Sequence, residues 1–280
     1  MFKLLEKHKL NESVTSLKFE APFIAKKVCP GQFVILRIDE TGERIPLTVS
    51  DFDRTAGTIT LVVQAIGFTT KKLCSLNSGD CVLDIVGPLG LPTEFGDPKK
   101  AIVIGGGVGC AIAYPQAKAL YSKGVDVTVI AGFRSKDIVI LEDEMKAVSN
   151  HCLIMTDDGT YGRKGLVTEP LGELISKEKY DLVIAIGPVP MMKFVSLTTK
   201  PYGIKTLVSL NPVMIDGTGM CGGCRVTVGG ETKFACVDGP DFDGHEVDFD
   251  EAMMRGSMYK DFELKKRDEM CNLLNKKEGN

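Results

Sequence analysis

No stretch of the 280 residues is apolar for long enough to cross a bilayer, which takes about 20 residues as a helix. Membrane insertion is therefore not expected. The opening residues, MFKLLEKHKLNES, lack the apolar segment and small-residue cleavage site of a secretory leader, so a cytoplasmic location is expected. There is no charge excess: 34 Lys and Arg stand against 37 Asp and Glu, a net charge of −3. That balance gives no footing for nucleic acid or an anionic membrane surface. No internal repeat is visible, and neither is an acid–base triad, so no catalytic side chain is assigned. A complete set of intrachain disulfides is also excluded, because the cysteines number nine and a cytoplasmic chain would not keep such bonds.

What is present is enough apolar residue, 44%, for two domains with separate cores. Up to about Asp97, short β-rich runs recur at Val14–Phe19, Gln32–Ile38, Ile45–Ser50, Thr58–Ala65 and Cys81–Val86. Turn signals such as CPG, DETGE and DRTAG divide them. This spacing predicts a small antiparallel β-barrel over residues 1–97, with a helix at Thr69–Leu76. After the polar break Asp97-Pro98-Lys99-Lys100, the texture alternates. Strands are predicted at the AIVI run, Asp126–Gly132, Cys152–Thr156, Leu182–Ile186 and Thr206–Leu210. Helices are predicted at Ala111–Lys123, Leu141–Ser149, Val167–Lys177 and Val189–Lys200. Continuous apolar strands between helices mean a parallel α/β sheet over 98–210. Residues 211–240 form a glycine- and cysteine-rich module with short strands at Arg225–Val228 and Lys233–Cys236. Residues 241–280 read as a tail, with a helix at Phe262–Leu274 and a possible contact for a partner.

Cys29, Cys74, Cys81, Cys110 and Cys152 have apolar neighbours and read as small buried hydrophobes. Cys271 reads as an ordinary thiol in a polar tail. The remaining three form the strongest signal in the chain: Asp216-x4-Cys221-x2-Cys224-x11-Cys236. A plant-type [2Fe–2S] site uses Cys-x4-Cys-x2-Cys and a distant fourth Cys, so only the first position departs, with Asp216 in place of Cys. Gly217, Gly219, Gly222 and Gly223 suit backbone that must wrap closely round an inorganic core and aim amides at sulfur. Asp216 is a harder donor than thiolate, but iron accepts it. Two alternatives stay open on spacing alone. One is a structural zinc site with His245 as fourth ligand; the other is a CxxC turn without metal. His245 itself reads as a surface residue in the polar run DFDGHEVD.

Gly105-Gly106-Gly107-Val108-Gly109 ends an apolar strand and opens a helix, a place that suits a phosphate. It is not GxGxxG, since Ile112 stands where the last glycine would be, and a structural tight turn would explain it as well. Gly132-Phe133-Arg134-Ser135 follows the next strand, where a ribose or its 2′-phosphate would sit. Arg134 suits a phosphate or plain surface; Asp137 suits ribose hydroxyls. NAD(H) against NADP(H) stays open on these residues. Gly187-Pro188-Val189-Pro190-Met191-Met192 follows another buried strand, and its methionines suit either ligand contact or helix packing. In the first domain, Arg44-Ile45-Pro46-Leu47-Thr48 puts Arg44, Pro46 and Thr48 on one face of a strand. Arginine suits a pyrophosphate, while an ordinary edge strand is the plain alternative. Gly67-Phe68-Thr69-Thr70 opens a helix in the same way as the glycine turn.

Taken together these motifs resemble the ferredoxin–NADP reductase superfamily. Arg44–Thr48 is similar to its RxYS/T flavin motif, with Pro46 in the aromatic position. Gly87-Pro88-Leu89-Gly90, Gly105–Gly109 and Gly187–Met192 resemble its GPxG, GGxG and CGPxxM elements, with Ile186 where many members carry Cys or Gly. The resemblance implies FAD on Arg44, Pro46, Leu47 and Thr48, with Val63, Gln64, Gly67, Thr69 and Thr70 completing the site. It implies NAD(H) on Gly106, Gly107, Val108 and Gly109, with Arg134, Asp157, Gly187, Pro188 and Met191. It implies a [2Fe–2S] cluster on Asp216, Cys221, Cys224 and Cys236.

The order of FAD barrel, NAD domain and cluster is shared with electron-transfer subunits of dihydroorotate dehydrogenase, where four cysteines hold the cluster. Asp216, the stretch Thr156–Gly165 and the long tail look more like the small subunits of NADH-dependent reduced-ferredoxin:NADP oxidoreductases. That branch implies a diaphorase-type, electron-bifurcating function with a larger iron–sulfur flavoprotein partner, which carries the NADP(H) site and meets ferredoxin. Three rival readings remain at this stage. They are a pyrimidine-pathway subunit, a zinc-stabilised nucleotide-binding regulator, and a lone flavin reductase with an empty cysteine loop.

Overall fold

A computed structural model describes residues 1–258. The expected helix at Phe262–Leu274 and Cys271 lie outside the described residues. No helix among the described residues is long and apolar enough to cross a membrane.

The first part of the chain contains β1 (Phe2–Lys9), β2 (Val14–Glu20), a one-turn helix α1 (Pro22–Ala25), β3 (Phe33–Arg37), β4 (Arg44–Asp53) and β5 (Thr58–Gln64). Helix α2 (Phe68–Ser75), β6 (Cys81–Val82) and β7 (Asp84–Leu89) complete it. The strands form one antiparallel sheet in the order β6-β1-β2-β5-β4-β3-β7, a nearly closed barrel. Period-two alternation drives it. Leu17 and Phe19 of β2, Val34 and Leu36 of β3, and Ile59 and Leu61 of β5 turn inward and are fully buried. Strand β1 was not expected. Within FKLLEKHK only Leu4 is fully buried, so the segment carries almost no apolar pattern of its own and is held by its ladder to β2.

The second part begins with β8 (Lys100–Gly106), followed by α3 (Cys110–Ser122), β9 (Asp126–Phe133), α4 (Glu142–Ala147) and β10 (His151–Thr156). Then come β11 (Arg163–Lys164), α5 (Thr168–Lys177), β12 (Leu182–Ile186), α6 (Val189–Thr199) and β13 (Lys205–Ser209). All five residues of β12 are buried, as befits a strand covered on both faces. The sheet runs β11-β10-β9-β8-β12-β13 and ends on β16 (Asp241–Asp243), parallel up to β13. From β8 the chain builds outward through β9 and β10, then returns to the other side at β12. The carboxyl ends of β8 and β12 are therefore a topological switch point, where sheets of this kind bind ligands.

The third part is a hairpin, β14 (Arg225–Val228) with β15 (Glu231–Phe234), followed by β16 (Asp241–Asp243) and α7 (Phe249–Ser257). β16 pairs antiparallel with β13 and extends the nucleotide sheet. Residues expected to begin a tail are thus folded onto the body. His245 is likewise not a plain surface residue: its Nε2 lies 2.9 Å from Thr199 Oγ1 and its side chain is only 16% exposed. Of the scattered cysteines expected to be buried, Cys110 alone is fully so; Cys29, Cys74 and Cys152 are half-buried, and Cys81 is exposed.

Candidate functional site

At the switch point two loops pack directly on each other. A Cβ added to Gly106 would lie 2.6 Å from Met191 Sδ and 3.0 Å from Pro188 Cδ. One added to Gly109 would lie 2.4 Å from the Ile186 carbonyl oxygen and 2.9 Å from Gly187 Cα. One added to Gly187 would lie 3.0 Å from Gly106 Cα. These three glycines are required by the close approach of the β8–α3 and β12–α6 loops, and Met191 and Pro188 are packing residues of that contact. Gly107 differs: its φ is +56° and nothing lies within 4 Å of the missing Cβ. It leaves open backbone at the start of α3, where a phosphate group could approach. Val108 beside it is half-buried against the core.

The neighbouring strand ends bring Arg134 and Asp157 together. The Asp157 amide donates to the Phe133 carbonyl at 3.0 Å and the Asp158 amide to the Arg134 carbonyl at 3.2 Å; the two side chains are exposed. Sequence reasoning missed what ties these loops. Thr160 Oγ1 accepts from the Lys136 amide at 2.9 Å, Tyr161 donates to Glu142 at 3.0 Å, and the Lys136 ammonium sits 5.5 Å over the Tyr161 ring. Asp137 stands in the same loop, exposed. A surface cavity of about 610 Å³ lies at the amino ends of the strands, by Tyr180 and Tyr202. It is away from all of these groups.

In the barrel, β4 pairs with β3 so that Pro46 faces Ile35, Leu47 faces Val34 and Ile45 faces Leu36. Val34 and Leu36 belong to the barrel core, with Ile45 and Leu47 packed against it. Alternation turns Arg44, Pro46 and Thr48 the other way. Leu47 and the fully enclosed Val63 could offer a ligand only backbone. Gln64 is half-buried at its strand end, opposite Val14. The Gly67 loop stands open, since nothing lies within 4 Å of a Cβ there. Thr70 Oγ1 accepts from the amides of Gly67 and Ile66 at 3.0 and 3.1 Å, capping α2. Thr69 is buried and donates to Glu43 at 2.6 Å. Farther along β4, the buried Ser50 hydroxyl donates to the Ala111 carbonyl at 2.7 Å and Lys118 pairs with Asp51 at 2.7 Å. Strand β4 is thereby fixed to α3, the helix that the glycine loop opens.

The Asp216–Cys236 loop meets the other end of the same strand. A Cβ on Gly217 would lie 2.9 Å from both Ile35 Cδ1 and Leu89 Cδ1, and Ile35 is the ladder partner of Pro46. Gly217, Gly219 and Gly222 all have φ between +66° and +82°, a left-handed backbone that side chains resist. Within the loop, the Cys224 and Cys236 sulfurs lie 3.2 Å apart, and both residues are buried. Burial, then the neighbouring Cys224 thiol, pushes the Cys236 thiol up to about 12. A metal that binds the Cys236 sulfur takes the place of its proton.

Cys221 is exposed, and its sulfur accepts from the Gly223 amide at 3.4 Å. The Asp216 carboxylate accepts from the amides of Thr218 and Cys221, both at 2.8 Å. Those bonds, Thr218 first, hold it below the usual carboxylate range. Among the described residues no three His, Cys, Asp or Glu side chains converge on one point as a single-ion site requires. His245, the fourth ligand of the zinc alternative, is engaged with Thr199 instead. A two-iron cluster asks for donors in pairs across two irons. Paired thiols at Cys224 and Cys236, with Asp216 and Cys221 on the same left-handed loop, fit that demand.

Residues 211–248 match the iron–sulfur cluster binding domain of dihydroorotate dehydrogenase B. Over 260 residues the chain is 47% identical to a Thermotoga maritima homologue of the dihydroorotate dehydrogenase B (NAD(+)) electron transfer subunit, covering 93% of this chain and 92% of that one. It is 51% identical over 269 residues to a Clostridium beijerinckii protein known from the region 3′ of adh, with 93% and 91% covered. Among solved structures, the NADH-dependent reduced ferredoxin-NADP oxidoreductase studied for flavin-based electron bifurcation is similar at a TM-score of 0.91. The identity there is 44%, over 97% of this chain and 98% of that one.

Proposed function

We propose that this chain, which belongs to the family of dihydroorotate dehydrogenase B electron transfer subunits and their homologues, is a diaphorase-type oxidoreductase subunit that moves electrons between NAD(H), FAD and one [2Fe–2S] cluster. One observation carries the reading. Strand β4 is touched near Pro46, through Ile35, by the cysteine loop, and is bonded at Ser50 to the helix that follows the glycine loop. A flavin on the outward face of β4 would lie between the nucleotide and the cluster.

Each group has a proposed place. Arg44, Pro46 and Thr48 present a cation, a rigid edge and a hydroxyl to FAD, with backbone from Leu47, Val63 and Gln64 and the open Gly67–Thr70 turn nearby. Gly107 and the helix start behind it receive the pyrophosphate of NAD(H), with Gly106, Val108, Gly109, Gly187, Pro188 and Met191 forming the packed floor. Asp157 receives ribose hydroxyls, and its negative charge beside Arg134 disfavours a 2′-phosphate. Asp216, Cys221, Cys224 and Cys236 hold the cluster. When bound, FAD and the cluster supply the exchange between two-electron and one-electron chemistry. The chain's part is to hold them in register and keep water from the Cys224–Cys236 side.

The likeness to the bifurcating oxidoreductase, over nearly the whole length of both chains, supports a place in such a complex. There the partner would be a larger iron–sulfur flavoprotein subunit carrying the NADP(H) site and meeting ferredoxin. Met220 at 88% exposed, with Val213, Ile215 and Val237 also exposed, surrounds Cys221 with apolar surface that a partner would cover. The test is an anaerobic purification with visible spectrum, iron and sulfide measured on one sample. Flavin bands with about two irons and two sulfides per chain are expected. Flavin without iron would leave a simple flavin reductase, and zinc without either chromophore would overturn the reading.

A further inference from the structure

Two arginines from outside the cysteine loop reach its turn. Arg225 Nη1, at the start of β14, lies 3.3 Å from the Gly222 carbonyl oxygen. Arg255 Nη2, from α7, lies 3.2 Å from the Gly223 carbonyl oxygen. These are the two residues between Cys221 and Cys224. Each carbonyl belongs to the same peptide unit as the following amide. The Gly222 carbonyl is joined to the Gly223 N–H, which donates to Cys221 Sγ at 3.4 Å. The Gly223 carbonyl is joined to the N–H of Cys224. A guanidinium on the oxygen side of a peptide draws electron density toward it and sharpens the N–H on the other side, since hydrogen bonds in series polarise one another.

The two arginines are not equivalent. Arg225 is exposed, so water screens its charge. Arg255 is half-buried, and its Nε is fully enclosed with no hydrogen-bond partner among the described residues. A buried cationic N–H left unpaired costs free energy. That cost makes sense beside a negative group.

We propose that Arg255, and more weakly Arg225, raise the reduction potential of the [2Fe–2S] cluster by polarising the Gly222–Gly223 and Gly223–Cys224 peptides that face it. This rests on the cluster reading above. The couple is a one-electron reduction in which one ferric iron becomes ferrous and no bond is made or broken. The reduced cluster therefore carries one more negative charge than the oxidised one. A positive charge held close stabilises the reduced form more, as do hydrogen bonds to a ligand sulfur, and both move the potential upward. Arg255 acts through the loop peptides and is a positioning and tuning residue.

The experiment is an EPR-monitored redox titration of the full-length subunit, with iron and sulfide measured for every variant. Arg255→Gln can keep a hydrogen bond to Gly223 but removes the charge. It is expected to retain its iron and to favour the oxidised cluster at least tenfold at a fixed potential, a fall of about 59 mV or more for a one-electron couple. Arg255→Lys, which keeps the charge, should stay closer to wild type, and Arg225→Gln should shift in the same direction but less. A fully loaded Arg255→Gln protein with an unchanged potential would overturn the proposal. So would loss of iron from both Arg255 variants, which would make the residue a brace for the loop rather than a tuner. Absence of iron from the wild-type chain would instead sink the cluster reading itself, so the two failures are told apart.

Discussion

Gly109→Ala isolates the contact that builds the switch point. The residue has φ −58° and ψ −21°, an ordinary right-handed helical backbone, so alanine meets no conformational penalty there. Its Cβ, however, would lie 2.4 Å from the Ile186 carbonyl oxygen and 2.9 Å from Gly187 Cα. Ordinary contact begins at 3.4 Å, so the β12–α6 loop and the start of α3 must part by about 1 Å. The obstacle is backbone, with no flexible side-chain end to swing aside. Overpacking of this kind costs roughly 1–3 kcal/mol, and each kcal/mol lowers the melting temperature of a domain of 150–250 residues by roughly 2–4 °C. The same movement displaces the proposed pyrophosphate site and should weaken NADH binding tenfold or more, about 1.4 kcal/mol. Gly107→Ala is the companion variant. It meets no atom but must hold φ at +56°, which costs an alanine roughly 1–2 kcal/mol. Differential scanning calorimetry and a fluorescence titration with NADH read both quantities. A Gly109→Ala protein that melts with wild type and binds NADH equally well would refute the close packing of the two loops.

Asp216→Cys should keep two irons per chain and change the cluster's EPR spectrum, because a softer donor replaces a carboxylate; an unaltered spectrum and potential would remove Asp216 from the ligand set. Asp241 is half-buried with its carboxyl enclosed by Thr93, Ser209 and Gln116, and that burial raises the carboxyl above the usual range. The fold thus favours the protonated carboxyl, so its stabilising contribution is complete below the ordinary carboxylate pKa and is lost as pH climbs through the raised value. Asp241→Asn, which mimics the neutral acid, should flatten that loss in denaturation curves taken from acid to mildly alkaline pH. A wild-type stability that does not fall over this range, or a variant that falls as steeply, would contradict it.

The strands that were legible in the sequence carry their apolar pattern in their own residues, alternating in the barrel and continuous in the parallel sheet. Leu182–Ile186 is the clearest, because an uninterrupted apolar run between helices has few other uses. The cysteine spacing was legible because ligand chemistry is written into adjacent residues. The parts that were hidden depend on distant partners. The segment Asp241–Asp243 looks like polar tail and becomes a strand only by pairing with Lys205–Ser209. His245 sits in an acidic run, yet its ring is seated on Thr199, a residue of another element. Nothing near Arg255 in sequence announces that it reaches Gly223, 32 positions earlier. The glycines after β8 had two readings, phosphate turn and tight packing, and geometry distributes them: Gly106 and Gly109 answer to packing, whereas Gly107 stands open. The RIPLT strand had the periodicity of any edge strand. Only its two contacts, one toward the cysteine loop and one toward α3, distinguish it.

The central claim is that electrons pass through a flavin held on β4 between nucleotide and cluster, and an anaerobic NADH titration followed by visible absorption and EPR on the same sample tests it most directly. The account predicts that NADH bleaches the flavin and brings up the signal of a reduced two-iron cluster in the same chain. A flavin that NADH reduces beside a cluster that stays oxidised, although dithionite reduces it, would contradict the account.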